Sequence, residues 1–421
     1  MNDTLQPAER VTPDDGANDQ LLYFTSSSLT ADDASLSMIS DRDGRPNLYT
    51  QQLSATERLS AGQRPSGNER PPEEERESRP LVQRSANDDG FLRAYVYYGG
   101  TPYRGLGKAS VSLHEASGEL YFLQGRSVCR SRIDGSAVAF AEYPADQVTG
   151  FTHVSADGTW FCVPTIHERA FEGFAAEKAK RTFAIDDRVR AEGLSSCLRV
   201  YDTRTGEAVL CEPVPEGWVT HVQFSPTDRN LILYNHEHTT VDGGIRRMWL
   251  FDGEKHHRLR TEGPGRSRDD WTCHEMWERD GSAIIYHGIY HHGPLDGRAY
   301  IGRIEVRRSR TGVELSAPVE IPLPEGWTRY GHFTVGDPGV LVSDGYFETP
   351  DDPPSSNGQW ISRVDVDWDG GSSNWRPLCR SGSSWDSQDS HPHPIFDHAG
   401  RFVYFTSDVG GTRAVYRVDA S

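Results

Sequence analysis

Gln388, His391 and His393, in the run Gln388-Asp-Ser-His391-Pro-His393-Pro, set one amide oxygen beside two imidazoles. In a strand, residues two apart point to one face, so both rings could meet one ion. Imidazole and amide oxygen suit a borderline-to-hard divalent metal such as manganese, nickel or zinc, with positions left open for water or substrate. The prolines after each histidine fix the local backbone. Two solvated histidines on a turn are the plainer alternative; against it stands His332, at the matching position one repeat earlier. His274, in Cys273-His274-Glu275-Met276-Trp277, is the candidate general base, the alternative being a histidine that anchors a strand. No second histidine follows four residues on, so this is not the zinc-protease pattern. Arg247 lies just ahead of Met248-Trp249 and could clamp a carboxylate. His221 opens, and His236 ends, the repeat before it, and either could line the same space.

These residues recur at one structural position. His153, His221, His274, His332 and the His391/His393 pair open five successive strand-like segments. After each come an Asp- or Gly-bearing turn and a β-branched, aromatic run: Trp160-Phe-Cys-Val, Leu231-Ile-Leu-Tyr, Ala283-Ile-Ile-Tyr, Val340-Leu-Val-Ser and Phe402-Val-Tyr-Phe. A second half-repeat is an outer strand ending in a tight turn, seen at Leu48, Val128, Leu198, Met248, Ile304, Val364 and Val415. A spacing of roughly 50–60 residues fits a four-stranded blade. Seven such units fill the chain, within the range known for propellers. The expectation is an all-β, seven-bladed β-propeller, a single domain over residues 20–421. Residues 1–19 read as a disordered polar tail, 62–90 as a charged loop, and 166–193 as a helical insertion rich in Ala, Glu and Lys. Stacked around an axis, the blades would bring their histidines together.

Composition narrows the function. The 421 residues carry a net charge of −18, which argues against nucleic acid as a partner. No apolar run is long enough to span a membrane, and the N-terminus lacks the basic start and apolar run of a secretory signal. The six cysteines are scattered without a CxxC pair, so a reduced, cytoplasmic setting without disulfides is expected. No G-x-S-x-G motif, phosphate-cradling glycine loop or dinucleotide fingerprint is present, which removes support for a serine hydrolase.

Taken together the pattern resembles the cytoplasmic oligogalacturonate lyases, seven-bladed propellers of pectin breakdown. The resemblance runs from about residue 20 through most of the chain. It is sharpest in Asp41-Arg-Asp-Gly-Arg-Pro-Asn-Leu-Tyr49, Arg247-Met-Trp, His274-Glu-Met-Trp, Trp385, the Gln388/His391/His393 run and Phe405-Thr-Ser-Asp408. It implies manganese held by His332, Gln388, His391 and His393, with His274 as Brønsted base and Arg247 as catalytic arginine. From their residue types, His221 and His236 could contact the sugar and Trp277 and Tyr330 could stack on its rings, with core packing the alternative for at least one aromatic. The chain departs from the family at His236-Glu237-His238-Thr239 and in the loops around 62–90 and 345–360. A related uronate oligosaccharide therefore stays open as the substrate.

The implied reaction is β-elimination on a 1,4-linked uronate, such as digalacturonate. A positioned base supplies about 10²–10⁴-fold, roughly 3–5 kcal/mol, whereas enzymes commonly achieve at least about 8 kcal/mol. The divalent ion would make up the difference by neutralising the carboxylate. The alternative class is a non-catalytic, TolB-like propeller that binds a peptide or protein. It shares turns in the style of Ser225-Pro226-Thr-Asp228 but needs no metal ligands.

Overall fold

Runs of β-branched and aromatic residues form the second strand of each blade, and burial on both faces explains their composition. Trp160–His167, Ile232–His236, Ala283–Tyr290 and Phe402–Ser407 are buried almost throughout, because a neighbouring blade covers each side. The computed structural model describes residues 5–53, 81–87, 110–173, 185–214, 217–236, 247–260, 270–290, 293–310, 312–323, 331–344 and 360–421. They form seven antiparallel sheets, five of four strands and two of five. The fold is a seven-bladed β-propeller. Innermost are Asp19–Leu21, Val111–His114, His153–Val154, Val219–Phe224, Asp270–Trp277, Phe333–Val335 and Ile395–Phe396, in blades 1 to 7.

The seven turn-ending strands expected at the outer edge are third strands, with a fourth beyond them in every blade. Several turns between first and second strands use a left-handed residue. In blade 3 it is Gly158 (φ +70°), where an added Cβ would come within 2.9 Å of the His114 ring. Each of the seven blade junctions has its own apolar cluster. Burial of apolar surface between blades is thus the main force holding the ring together.

Three expectations are corrected. Of the expected tail at 1–19, the described residues 5–19 are not free: Glu9–Arg10 pairs with Ala414–Asp419, Glu9 opposite Arg417 and Arg10 opposite Tyr416. The N-terminus so supplies the fourth strand of blade 7, and Val11 is buried behind it. Within 62–90, Leu81–Gln83 is the fourth strand of blade 1, while 54–80 and 88–109 lie outside the described residues. The expected insertion at 166–193 begins as strand up to His167 and a 3-10 turn at Glu168–Phe171, and among the described residues its α-helix is Ile185–Glu192. Ile185 and Val189 dock this helix on Ile166, Ala170 and Trp218; residues 174–184 lie outside the described residues. Cys197 and Cys211 face each other on paired strands with Cα atoms 5.8 Å apart, a separation a disulfide can bridge, and Cys129, Cys162, Cys273 and Cys379 are free and buried. Among the described residues no helix is long and apolar enough to cross a membrane.

The axis is blocked by aromatic rings. Tyr23 packs on Phe24 and on Phe151, each at 4.5 Å between centroids. Beyond them, on the side toward which the inner strands run, lies a cavity of 400 Å³ lined by His153, Gln223, Trp277, Thr334 and His398 among others. Tyr23 and Phe24 also pack on the histidines His221, His274, His332 and His393.

Candidate metal and active centre

His332 immediately precedes the inner strand of blade 6, and His391 and His393 precede that of blade 7. One ligand atom from each of the three lies within 4.8 Å of the others, and the Nε2 atoms of His332 and His393 are 3.1 Å apart. Two nitrogens bound to one ion at roughly 2.1 Å each would stand at about that separation. The way the pair converges differs from the expected strand geometry. Gln388–Ser390 is a 3-10 turn, His391 is extended, and His393 adopts φ +45° ahead of Pro394. A left-handed conformation is disfavoured for a β-carbon residue and more so before proline. That strain re-aims the His393 ring toward His332.

Asp344 holds this arrangement. It is fully buried and accepts from the His332 backbone N–H (2.6 Å), the His393 backbone N–H (3.0 Å) and His332 Nδ1 (3.0 Å). Burial raises its pKa, but the charge and hydrogen bonds of His332 outweigh this and lower it overall. A carboxylate only accepts, so His332 Nδ1 carries its proton and Nε2 presents a lone pair to the cluster. Three imidazoles, one oriented by a carboxylate, fit a borderline divalent cation. Gln388 is half-buried in its turn. Trp385, also left-handed at φ +60°, lays its ring 4.5 Å from that of His391.

His274 stands beside the trio, its ring centroid 4.4 Å from that of His332. A β-bulge puts it there. Cys273 pairs with His287 and Met276 with Ile285, so His274 and Glu275 together face Tyr286 alone, and His274 takes φ +53°. Such a bulge turns side chains that a regular strand would send to opposite faces. Burial, then the neighbouring His332, His287 and Arg247, hold its pKa well below the ordinary 6.5. It stays neutral, as a proton acceptor must.

Glu275, the other bulge residue, binds Arg247: Nε donates to Oε2 at 2.8 Å. Both side chains are almost fully buried. Burial alone would raise the Glu275 pKa; Arg247 and His221 bring it down to about 2. His221 in blade 4 sits on a comparable register shift between Val219 and Val222. Its Nδ1 faces Asn235 Nδ2 (3.0 Å) and Arg247 Nη2 (3.2 Å), and Nε2 faces the Tyr23 hydroxyl (3.3 Å).

Trp277 and His236, also expected at the sugar, pack elsewhere. Trp277 is buried in the core between blades 4 and 5 with Leu233, Met248 and Tyr286, its Nε1 donating to the Gln223 carbonyl. The strand beyond the bulge turns it away from the cluster. His236 is buried edge-on between Tyr234 and Trp249, and burial lowers its pKa to about 3. Tyr330, with 237–246, lies outside the described residues. His153 does not converge either. It bridges Thr25 O and the Phe224 N–H beside the far cavity, and Phe151 takes the axial place in its blade.

Asp344, Asn235, His287 and Glu275 were not singled out in the sequence. The first three follow directly on the β-runs Val340–Ser343, Leu231–Tyr234 and Ala283–Tyr286, a repeated position that could have marked them.

The fold and the cluster together define a seven-bladed propeller with three converging imidazoles, two buried and one half-buried, beside a further histidine and an Arg–Glu pair. Comparison then places it among known proteins. No protein-family model matches the chain. It is 30% identical over 231 residues to the oligogalacturonide lyase of Pectobacterium atrosepticum, covering 51% of this chain and 53% of that protein. It is 28% identical over 237 residues to the oligogalacturonate lyase of Dickeya dadantii, with the same coverage of 51% and 53%. The matched region thus spans about half the length of these curated relatives. Two solved structures share the fold along nearly the whole chain. An oligogalacturonate lyase in complex with manganese superposes with TM-score 0.69 at 20% identity, covering 98% of this chain and 93% of that one. The oligogalacturonate lyase of Vibrio parahaemolyticus gives 0.71 at 19%, covering 100% and 95%. The chain is similar to oligogalacturonate lyases in sequence and in fold.

Proposed function

We propose that this chain is a metal-dependent carbon–oxygen lyase that cleaves short oligogalacturonides, or closely related uronate oligosaccharides, by β-elimination. One observation carries the reading: His332, His391 and His393 come from two blades to a common point, with the buried, neutral His274 alongside. The names of the relatives support the substrate class, and the manganese complex of a structural neighbour supports the choice of ion. His332, His391 and His393 would hold the ion, with Gln388 as a further ligand. A divalent cation there supplies Lewis-acid neutralisation of the uronate carboxylate.

The chain's own residues do the rest. His274 takes the proton from carbon 5. The electron pair of that C–H bond forms the double bond to carbon 4, and the bond from carbon 4 to the glycosidic oxygen breaks. Arg247, held by Glu275, stabilises negative charge developing on the carboxylate or on the departing oxygen. In this reading the protein works in the cytoplasm.

The test is direct. Purified protein given digalacturonate and manganese should accumulate ultraviolet-absorbing unsaturated uronate, and EDTA should stop it. Absence of that product across di- and trigalacturonate and related uronates, with metal bound, would overturn the proposal.

A further inference from the structure

Three adjacent blades share one device. In each, the residue that follows the second strand's apolar run reaches the Nδ1 atom of the first-strand histidine. Asn235 reaches His221 at 3.0 Å, His287 reaches His274 at 2.7 Å, and Asp344 reaches His332 at 3.0 Å. The chemistry of the partner decides which nitrogen of the ring carries the proton. Asn235 spends its carbonyl oxygen on the backbone N–H groups of Thr220 (3.2 Å) and His221 (2.7 Å). It therefore turns its NH₂ toward His221, whose Nδ1 accepts. Asp344 can only accept, so His332 is protonated at Nδ1.

Blade 5 is the case in which the partner is itself a histidine. His274 Nδ1 also lies 2.8 Å from the Gly331 carbonyl oxygen, which has no proton to give. Nδ1 must then be the protonated nitrogen. With that proton in place, His287 Nε2 can approach to 2.7 Å only by presenting a lone pair, because two N–H groups would collide. His287 is consequently the Nδ1–H tautomer. It is 1% exposed, so water cannot substitute for it.

We infer that His287 is a positioning residue, which acts through His274 by accepting from Nδ1 and so keeping the Nε2 lone pair turned to the substrate side. This rests on the lyase reading for its consequence, but the tautomer assignment does not. Neither the resemblance nor the relatives assign a role to this position.

The test has two arms. In metal-free protein labelled with ¹⁵N-histidine, the ring resonances of His274, assigned by their loss in His274→Ala, should show a protonated Nδ1 and a bare Nε2. In the metal-loaded enzyme, His287→Leu should lower kcat about 10- to 100-fold, the range typical of an outer partner, with KM for digalacturonate and bound metal unchanged. His287→Gln, whose amide oxygen can accept the same bond, should recover most of the loss. An Nε2–H tautomer in the wild-type chain would overturn the inference. So would an unaltered kcat in His287→Leu, or equal losses in Leu and Gln variants that track their thermal stability. If the wild-type chain proves inactive on every uronate, only the functional reading falls, and the spectrum still decides the tautomer.

Discussion

His332 Nε2 and His393 Nε2 stand 3.1 Å apart across the junction of blades 6 and 7, and the carboxylate that sets this separation belongs to neither strand segment that bears them. Asp344 reaches over from the end of blade 6's second strand and takes a backbone N–H from both histidines. The site is therefore assembled at a blade junction.

Asp344→Asn keeps the shape but replaces an acceptor oxygen by a donor NH₂ and removes the charge. His332 would lose the fixed tautomer, and one of the two backbone N–H groups would lose its acceptor. Manganese affinity should fall about 10- to 100-fold, read by titration calorimetry. Stability should fall by about 1–3 kcal/mol for the unsatisfied N–H, read by chemical denaturation of the metal-free protein. Unchanged metal affinity would show that His332 needs no fixing.

The relation between sequence and site follows from the same geometry. Blade count and the first-strand histidines were legible because each repeat restates them in linear order. Asp344, Asn235 and His287 were harder, since they meet their histidines only through strand pairing 12, 14 and 13 residues away. Bulges were not legible at all. They depend on register between strands, and they decide that His274 faces the axis while Trp277, three residues on, is drawn into the core between blades. His153 looked equivalent to its counterparts, but two short strands, Gln147–Thr149 and His153–Val154, open its blade, and Phe151 between them takes the axial place. The acidic N-terminal stretch looked free because a closing strand as short as Glu9–Arg10 carries almost no pattern.

His274→Ala should reduce turnover of digalacturonate by about 10²–10⁴-fold, the usual contribution of a positioned base. His274 belongs to neither the trio nor the bonds of Asp344, so bound manganese should remain at the wild-type level by elemental analysis. A variant that lost metal and rate together would mark His274 as a ligand instead.

Glu275→Gln leaves Arg247 buried without its carboxylate. Breaking a buried pair from one side typically costs about 3–5 kcal/mol, and the cost should appear in denaturant unfolding. It should also depend on pH with a definite sign. Glu275 is held at a pKa of about 2, below the ordinary 4.5, chiefly by the Arg247 charge against the upward push of burial. Its stabilisation is present in full above about pH 4.5 and is lost as pH falls toward 2. Wild-type protein and Glu275→Gln should therefore differ most at neutral pH and converge in acid. A constant gap across that window would assign the stability to packing rather than to charge.

His398 gives the opposite slope, at the seam where the ring closes. It lies in the first turn of blade 7 and bonds Asp33 of blade 1 through Nδ1 (2.8 Å) and Glu115 of blade 2 through Nε2 (2.8 Å). Burial alone would lower its pKa, but the two carboxylates win and raise it to about 9. A raised pKa means that the folded state holds the proton more tightly than the unfolded chain. The contribution is therefore whole below about pH 6.5 and disappears as pH rises through 9. The side chain is 25% exposed, so solvent screening reduces the gain to the order of 1–2 kcal/mol. Wild-type melting temperature should drop between pH 7 and 10 by more than that of His398→Gln, which has no charge to lose. Because the seam also includes the pairing of Glu9–Arg10 with the last strand, hydrogen exchange there should quicken over the same window in the wild type alone. Parallel pH profiles for the two proteins would show that the three-blade bridge adds no charge-dependent stability.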